Sequence, residues 1–466
     1  MNLRFDTLES MCELIADCPH STPKWTDSGI IVLRNQNIKN GTLNLSNPSF
    51  TDEAHYQARI RRAAPEAGDI VVTREAPIGE ICLIPEGLKC CLGQRQVLLR
   101  AKSGIDSRYL FWALQSPVVK HQISWSEGTG STVSNLRIPV LCQLQIPRLD
   151  NETEIATNLS AIAKKISLNR QINQTLEAMA QALFTSWFVQ FEPVRAKMAA
   201  LEMGEDPTRA AMRAISGKTD AELDTWQTTD PAAYAQLEAT AALFPAALVN
   251  SELGLIPEGW EVGTLDNLSE LNNESWVTSN LPQTIYYVDL ANTKDGIINE
   301  VQVFEREAAP SRARRKLKIG DTIVGTVRPG NRSFAFIGNN DIELTGSTGF
   351  AVLTPKKRIY QELIYIVATR DENIERLAHL ADGGAYPAVR PDVVLKTYCV
   401  IPDDVLLEEF HNKVSPLLGV RSKTHQENRT LATLRDTLLP KLLSGELAVG
   451  TLADVIDREN EVDVVT

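Results

Sequence analysis

The stretches from Glu154 to Leu183 and from Glu409 to Leu438 are the same helix written twice, 255 residues apart, and nothing else constrains the fold as strongly. Glu154 recurs as Glu409, Gln171 as Gln426, Asn173 as Asn428, Thr175 as Thr430, Leu176 as Leu431 and Leu183 as Leu438. Upstream, Ile146-Pro147 returns at the same offset as Ile401-Pro402. A chain that duplicates a globular unit together with the long helix behind it is built to hold two similar modules apart.

Both copies carry an apolar seam. In the first, Ile155, Ile162, Asn169, Leu176 and Leu183 share one heptad position, and Leu159, Ile166, Asn173, Ala180 and Trp187 share the other. In the second, the positions are Phe410, Leu417, Thr424, Leu431 and Leu438, then Val414, Arg421, Asn428, Arg435 and Leu442. Spacing sustained over several heptads is a coiled-coil signature, and at ~1.5 Å per residue the first helix would measure about 55 Å. Pro440 is expected to end or kink the second helix. Asn173 and Asn428 fall inside the seams, where a buried Asn fixes register at some cost in stability. The alternative leaves them at the solvated edge of an ordinary helix pair. Antiparallel pairing would carry the modules to opposite ends of a span of ~50 Å, against the ~34 Å of one DNA turn. A scaffold that binds only proteins satisfies the same geometry.

Residues 1–150 read as short strands and turns, with β-favouring runs at Ile30-Val32, Ile70-Val72, Ile81-Ile84 and Val97-Leu99 and a short buried helix at Tyr109–Leu114. The loop Gly128-Thr-Gly-Ser131 precedes a last strand ending at Ile146-Pro147. Residues 151–198 hold the first long helix. Residues 199–250 are rich in Ala and acidic residues and interrupted by Pro207, Pro231 and Pro245, which predicts a partly helical connector. Residues 251–403 repeat the first plan: Gly320-Asp321 matches Gly68-Asp69, Thr326 and Arg328 stand near the place of Thr73 and Arg74, and Ile364–Ala368 matches the short helix. The second long helix occupies 404–444, and an acidic tail 445–466.

With 43% hydrophobic and 23% charged residues, a folded and soluble chain is expected over a disordered one. No run of eighteen apolar residues and no signal-peptide core occur, so a cytoplasmic location without a membrane is expected. Seven scattered cysteines without a CxxC pair predict free thiols. The net charge of −12 argues weakly against a polyanion partner, yet Arg59, Arg61 and Arg62 cluster in the first half and Arg312, Arg314, Arg315, Lys316 and Lys318 in the second.

Motifs for catalysis are missing. The six histidines lack metal-ligand spacing. Gly217-Lys218-Thr219 ends like a phosphate loop, but Met212 stands where its first glycine belongs. Asn47-Pro48-Ser49-Phe50 has Ser in place of the second proline of an amino-methyltransferase motif, and no methyl-donor loop accompanies it. Pro391-Asp392 is not followed by the Glu-x-Lys of a nuclease. The chain reads as a recogniser.

Three strings make a family resemblance specific. Leu168–Phe188 with Phe191-Glu-Pro-Val194, Ser251-Glu-Leu-Gly-Leu-Ile-Pro-Glu-Gly-Trp260, and Glu427–Glu446 strongly resemble the specificity subunits of type I restriction–modification systems. The resemblance implies a mixed α+β fold: two similar target-recognition domains separated by two long antiparallel coiled-coil helices, with a pseudo-two-fold internal repeat. It implies recognition of a bipartite sequence in double-stranded DNA. It also implies partner methyltransferase subunits and a translocase–nuclease subunit, which bring S-adenosylmethionine, ATP and Mg2+, while this chain holds no cofactor or metal and no catalytic residue. A modification-only system without a motor nuclease would use the same chain, and the protein-only scaffold remains the contrasting alternative.

Loop residues in equivalent places are the expected base readers: Thr73, Arg74, Gln94, Arg95, Ser131 and Asn135 in the first module, and Arg328, Asn331, Arg332, Ser347, Tyr386 and Arg390 in the second. Arg matches the O6/N7 edge of guanine and Asn or Gln the N6/N7 edge of adenine. Arg59, Arg61, Arg62, Arg312, Arg314, Arg315 and Lys316 are the expected phosphate contacts, which position without specifying.

Overall fold

The computed structural model describes residues 3–126, 135–338, 342–384 and 387–447. They form two compact units, one of Met1–Ser167 with the chain from Thr430 onward, the other of Leu168–Arg429. Each mixes helix and strand, so the fold is α+β.

In the first unit an antiparallel sheet has the order Cys12–Asp17, Gln96–Ala101, Ile70–Thr73, Ile81–Leu83. A three-stranded sheet orders Ser49–Thr51, Ile30–Leu33 and Cys90–Leu92, the last two running parallel. Arg4–Thr7 pairs with Gln145–Arg148. Helix Ser107–Leu114 is buried from Tyr109 onward, as its apolar run demands.

The second unit repeats this order with Ser269–Leu271, Phe350–Pro355, Thr322–Gly325 and Phe334–Phe336. Its other sheet runs Gln302–Glu305, Thr284–Val288, Leu344–Ser347, Ala313–Leu317, with the middle pair parallel. Glu261–Thr264 pairs with Tyr398–Ile401.

Backbone hydrogen bonds fix the equivalence. The Gly68 and Gly320 amides donate to Ile84 O and Ile337 O, and the Asp69 and Asp321 carboxylates each accept from the amide three residues upstream, at 2.8 Å. One expected pairing shifts. Arg74 N donates to Arg95 O while Leu136 N donates to Arg74 O; in the second unit these bonds are made by Thr326, with Gly349 O and Val389 N. Thr326 is therefore the counterpart of Arg74, and Arg328 lies farther out on a turn that the first unit builds differently.

The central helix spans Glu152–Phe188 (37 residues) and the distal helix Asp404–Leu443 (40 residues). The distal helix does not end at Pro440 but continues to Leu443. Proline removes one amide but keeps its carbonyl, which accepts from Ser444 N at 3.0 Å, and Leu438, Leu439, Leu442 and Leu443 are buried around it. In the first unit Ile155 and Leu159 share a core with Leu438, Leu439 and Leu442. In the second, Asn169 Nδ2 donates to Asn428 Oδ1 (3.0 Å) and Glu427 Oε2 (2.7 Å), Asn173 Oδ1 accepts from the Thr424 hydroxyl, and Glu177 meets Arg421 (3.2 Å). The descending partner numbers make the helices antiparallel there. Asn173 is buried, which removes the solvated-edge alternative for it, and Asn169 is buried beside it; Asn428, like Ile162, Leu176, Leu183, Leu417 and Leu431, is only half-buried on the seam.

The connector is more ordered than its prolines suggested. Helices Glu192–Met203, Pro207–Ser216, Asp220–Thr229 and Pro231–Ala242 fill it, and Ala211, Met212, Leu223, Leu237 and Ala241 form a core of their own. Pro207 and Pro231 sit at the first helical position, where the missing amide costs nothing, behind the capping carboxylates of Asp206 and Asp230. Gly217 and Thr219 close one helix and cap the next.

Candidate nucleic-acid interface

In the first unit the turn after Ile70–Thr73 organises the candidate surface. Thr73 is buried; its hydroxyl donates to Pro77 O (2.7 Å) and accepts from Glu80 N (3.0 Å), so it shapes the turn and is not placed to read a base. Arg74 donates to Leu136 O (2.8 Å), Asp17 (2.8 Å) and Asn135 Oδ1 (3.3 Å). Asn135 Nδ2 donates to Glu75 (2.6 Å), and Glu75 pairs with Arg95 at 3.2 Å. One network thus gathers Arg74, Arg95 and Asn135. Arg95, in the left-handed region at φ 65°, is its exposed end, with its side chain 56% exposed. Gln94 donates to His20 O at 2.6 Å. Ser131 lies outside the described residues.

In the second unit Arg328, Asn331 and Arg332 occupy one turn between the strands Thr322–Gly325 and Phe334–Phe336, with Arg328 and Arg332 left-handed at φ 48° and 62°. Arg328 and Asn331 are exposed. Arg332 is half-buried, paired with Asp295 and with Asp371 (2.8 Å), which leaves it a turn-stabilising role. The segment leading to Arg390, which caps the short helix Pro391–Leu395, abuts this turn, since Arg328 N donates to Pro387 O (2.7 Å) and Val327 bridges Ala388. Arg390 is exposed and pairs with Asp392 at 3.0 Å. Ser347 is buried and accepts from Gly349 N (3.2 Å), so it lies beneath the surface. Tyr386 lies outside the described residues.

The phosphate set needs correction. Arg59 is buried, its guanidinium donating to Leu92 O and Gly93 O (both 2.9 Å) and to Ser21 O (3.1 Å). Burial lowers its pKa, and its donors are used on backbone carbonyls within the fold. Arg61 and Arg62 are exposed, and Arg62 reaches Asp17 O at 3.1 Å. In the second cluster strand formation by Ala313–Leu317 draws the charges inward. Arg315 is half-buried, with its pKa lowered by burial; Lys316 sits 4.0 Å over the Trp276 ring and 3.6 Å from Glu274. Arg314 donates to Ala313 O, its own neighbour (2.8 Å). Arg312 is exposed, and its carbonyl accepts from Thr348 N (2.9 Å).

Sequence reasoning missed the carboxylates that hold the arginines: Asp17 and Glu75 in one unit, Asp295 and Asp371 in the other. Glu75 adjoins Arg74 and carried a local signal; the other three are distant in sequence and carried none.

Residues 7–178 match the family described as type I restriction modification DNA specificity domain. The chain is 30% identical over 321 residues to the type I restriction enzyme HindI specificity subunit of Haemophilus influenzae, covering 65% of this chain and 69% of that one. It is 24% identical over 396 residues to the MjaIX specificity subunit of Methanocaldococcus jannaschii, with 83% and 79% covered. Among solved structures, the type I S subunit from M. genitalium aligns over 95% of this chain and 96% of its own at a TM-score of 0.49 and 15% identity. The chain belongs to the family of type I restriction enzyme specificity subunits. Its role is the DNA-specificity role in a type I restriction–modification system. No helix among the described residues is long and apolar enough to cross a membrane.

Proposed function

We propose that each unit reads one half of a bipartite sequence in double-stranded DNA, and that the paired helices set the distance between the halves. The chain itself has no catalytic role. Methyltransferase subunits supplying S-adenosylmethionine chemistry and a translocase–nuclease using ATP and Mg2+ act at the site it selects, in the cytoplasm. The observation that carries this reading is the recurrence, in both units, of exposed arginines on left-handed turns beside the same pair of sheet strands: Arg95 in one, Arg328 in the other. Such side chains reach base edges, and each good bidentate pair contributes ~1–3 kcal/mol of discrimination. The acidic total fits a subunit whose partners supply much of the phosphate-binding surface, so weak and salt-sensitive DNA binding is expected for the isolated chain.

The test is genome-wide adenine methylation in cells carrying the assembled system. Arg328→Ala should relax one half of the methylated motif and Arg95→Ala the other. If both variants keep both halves at full occupancy, the loop assignment is wrong; if no two-part motif depends on this chain at all, the whole reading fails.

A further inference from the structure

The hairpin formed by Thr293-Lys294 and Ile297-Ile298 joins the reading turn of the second unit to its helices. At the turn end, Asp295 N donates to Arg332 O (2.9 Å), the Asp295 carboxylate binds the Arg332 guanidinium, and Gly296 N donates to Phe334 O (2.9 Å). At the helix end, Arg421 Nη2 donates to Gly296 O at 3.0 Å. Arg421 occupies a seam position of the distal helix, is buried at 5% exposure, and is held from the central helix by Glu177 at 3.2 Å. The Tyr365 ring lies 5.8 Å from its guanidinium. Gly296 has φ +78°, and a Cβ there would stand 2.3 Å from Arg421 Nη2 and 2.8 Å from Tyr365 Oη, so the approach requires glycine.

A charged residue in a coiled-coil seam is costly unless something uses it, and here both helices and the recognition module use it. The first unit keeps the hairpin, Ile38-Lys39 with Thr42-Leu43, and its glycine, Gly41 at φ +73°. There the glycine faces the Gln115 side chain, and the seam residue one repeat before Arg421 is the buried Ile166.

We infer that Arg421 is a positioning residue for sequence recognition: it ties the Gly296 hairpin, and through Asp295 the Arg328–Arg332 turn, to the register of the helix pair. The inference rests on the reading of that turn as a base-contacting element. Its consequence is asymmetric. The second half-site is read by a turn fixed to the helices, the first by a turn whose side-chain bonds, among the described residues, go to Asp17, Asn135 and Leu136 of its own module.

The experiment compares Arg421→Lys, Arg421→Met and Gly296→Ala in the full system, with assembly on methyltransferase subunits followed by size-exclusion chromatography. Gly296→Ala keeps both Glu177 and Arg421 in the chain and acts at the contact between Gly296 and Arg421, so it reports on the tether even if Arg421→Met misfolds. Amide hydrogen exchange of 293–298 and 328–334 and the methylated motif are read together. Arg421→Met and Gly296→Ala should speed exchange in those segments and reduce occupancy of targets at the second half about tenfold relative to relaxed ones, with the first half unaltered and Arg421→Lys intermediate. Unchanged exchange overturns the tether. Faster exchange with an intact motif overturns the inference about recognition, and Arg328→Ala then tells whether the turn's reading role has failed with it. Equal relaxation of both halves also overturns it, because a merely structural defect in the helices would do that.

Discussion

The two units share a hydrogen-bond scheme and differ in what their side chains do with it. The Gly-Asp turn before the central strand is the clearest case. In the first unit Arg100 grips the Asp69 carboxylate with two bonds of 2.8 Å. In the second, Asp321 is fully buried with no arginine opposite, one carboxylate oxygen lacks a partner, and burial pushes its pKa up to about 6. The helix ends differ too. Leucines pack around Ile155 and Leu159 in the first unit, whereas Phe184, Trp187, Phe188 and Phe410 form an aromatic cluster in the second, with Phe188 and Phe410 edge-to-face at 4.9 Å. A duplicated backbone constrains where a carboxylate must sit and where a helix must bury a face. It leaves open which partner satisfies either one.

The largest test of that division is at the helix ends. Phe410→Ala should cost about 4 kcal/mol and Leu442→Ala about 3 kcal/mol, through lost transfer free energy and the cavity left behind. Each loss should appear in the hydrogen-exchange protection of its own unit: Phe410 in 168–429, Leu442 in 1–167. Loss of protection in the opposite unit would show that the two cores unfold as one, and the comparison between them would lose its energetic basis.

Next is the carboxylate pair. Arg100→Met strands a buried Asp69 and should destabilise by about 3 kcal/mol at neutral pH. Asp321→Asn should do the reverse. The folded pKa of Asp321, about 6, lies above its ordinary 3.8, so its stabilising contribution is complete below about 3.8 and is lost as pH rises through about 6. The variant should therefore match the parent near pH 4 and exceed it by about 2 kcal/mol at pH 8. A denaturant series at the two pH values measures the difference; equal stability at pH 8 would mean that Asp321 is not strained, and that the two turns are equivalent after all.

How much of this was legible in the sequence follows from the range of each interaction. The helices and their seams were legible because a 3.6-residue period repeats locally and the 255-residue duplication states it twice. The runs Ile30-Val32, Ile70-Val72 and Val97-Leu99 were legible as strands because β-branched apolar residues alternate with turn residues; each lies in an observed strand. Strand Cys12–Asp17, whose pattern mixes acidic and apolar residues, and helix Glu53–Arg59, capped only by Asp52, carried weaker signals and went unread. Arg59 was taken for surface because its cluster is basic, yet carbonyls from two separated segments, Pro19 and Ser21 in one and Leu92 and Gly93 in the other, surround it. Pro207 and Pro231 read as breaks because a proline that starts a helix and one that ends it look alike without the neighbouring cap. Arg421 was visible as an odd residue in a seam, but its reason, a glycine carbonyl 125 positions away, was not.

The smallest expected effect separates specificity from stability within the helix pair itself. Asn173 is buried, its carbonyl accepts from Thr424, and its amide nitrogen has no partner, while the Thr424 hydroxyl also lies 3.0 Å from both Val420 O and Arg421 O. Replacing Asn173 by Leu removes an uncompensated buried donor and leaves Thr424 with acceptors of its own. Stability should then rise by about 1 kcal/mol, as for other buried polar groups exchanged for apolar ones. Ile166→Asn, one heptad earlier on the same seam position and in the first unit, places a polar group in an apolar site and should cost more than this gain. If Asn173→Leu instead loses 1 kcal/mol or more in denaturant unfolding, Asn173 contributes net binding energy. The contrast between a polar, register-setting stretch in one unit and an apolar stretch in the other would then not be a contrast in purpose.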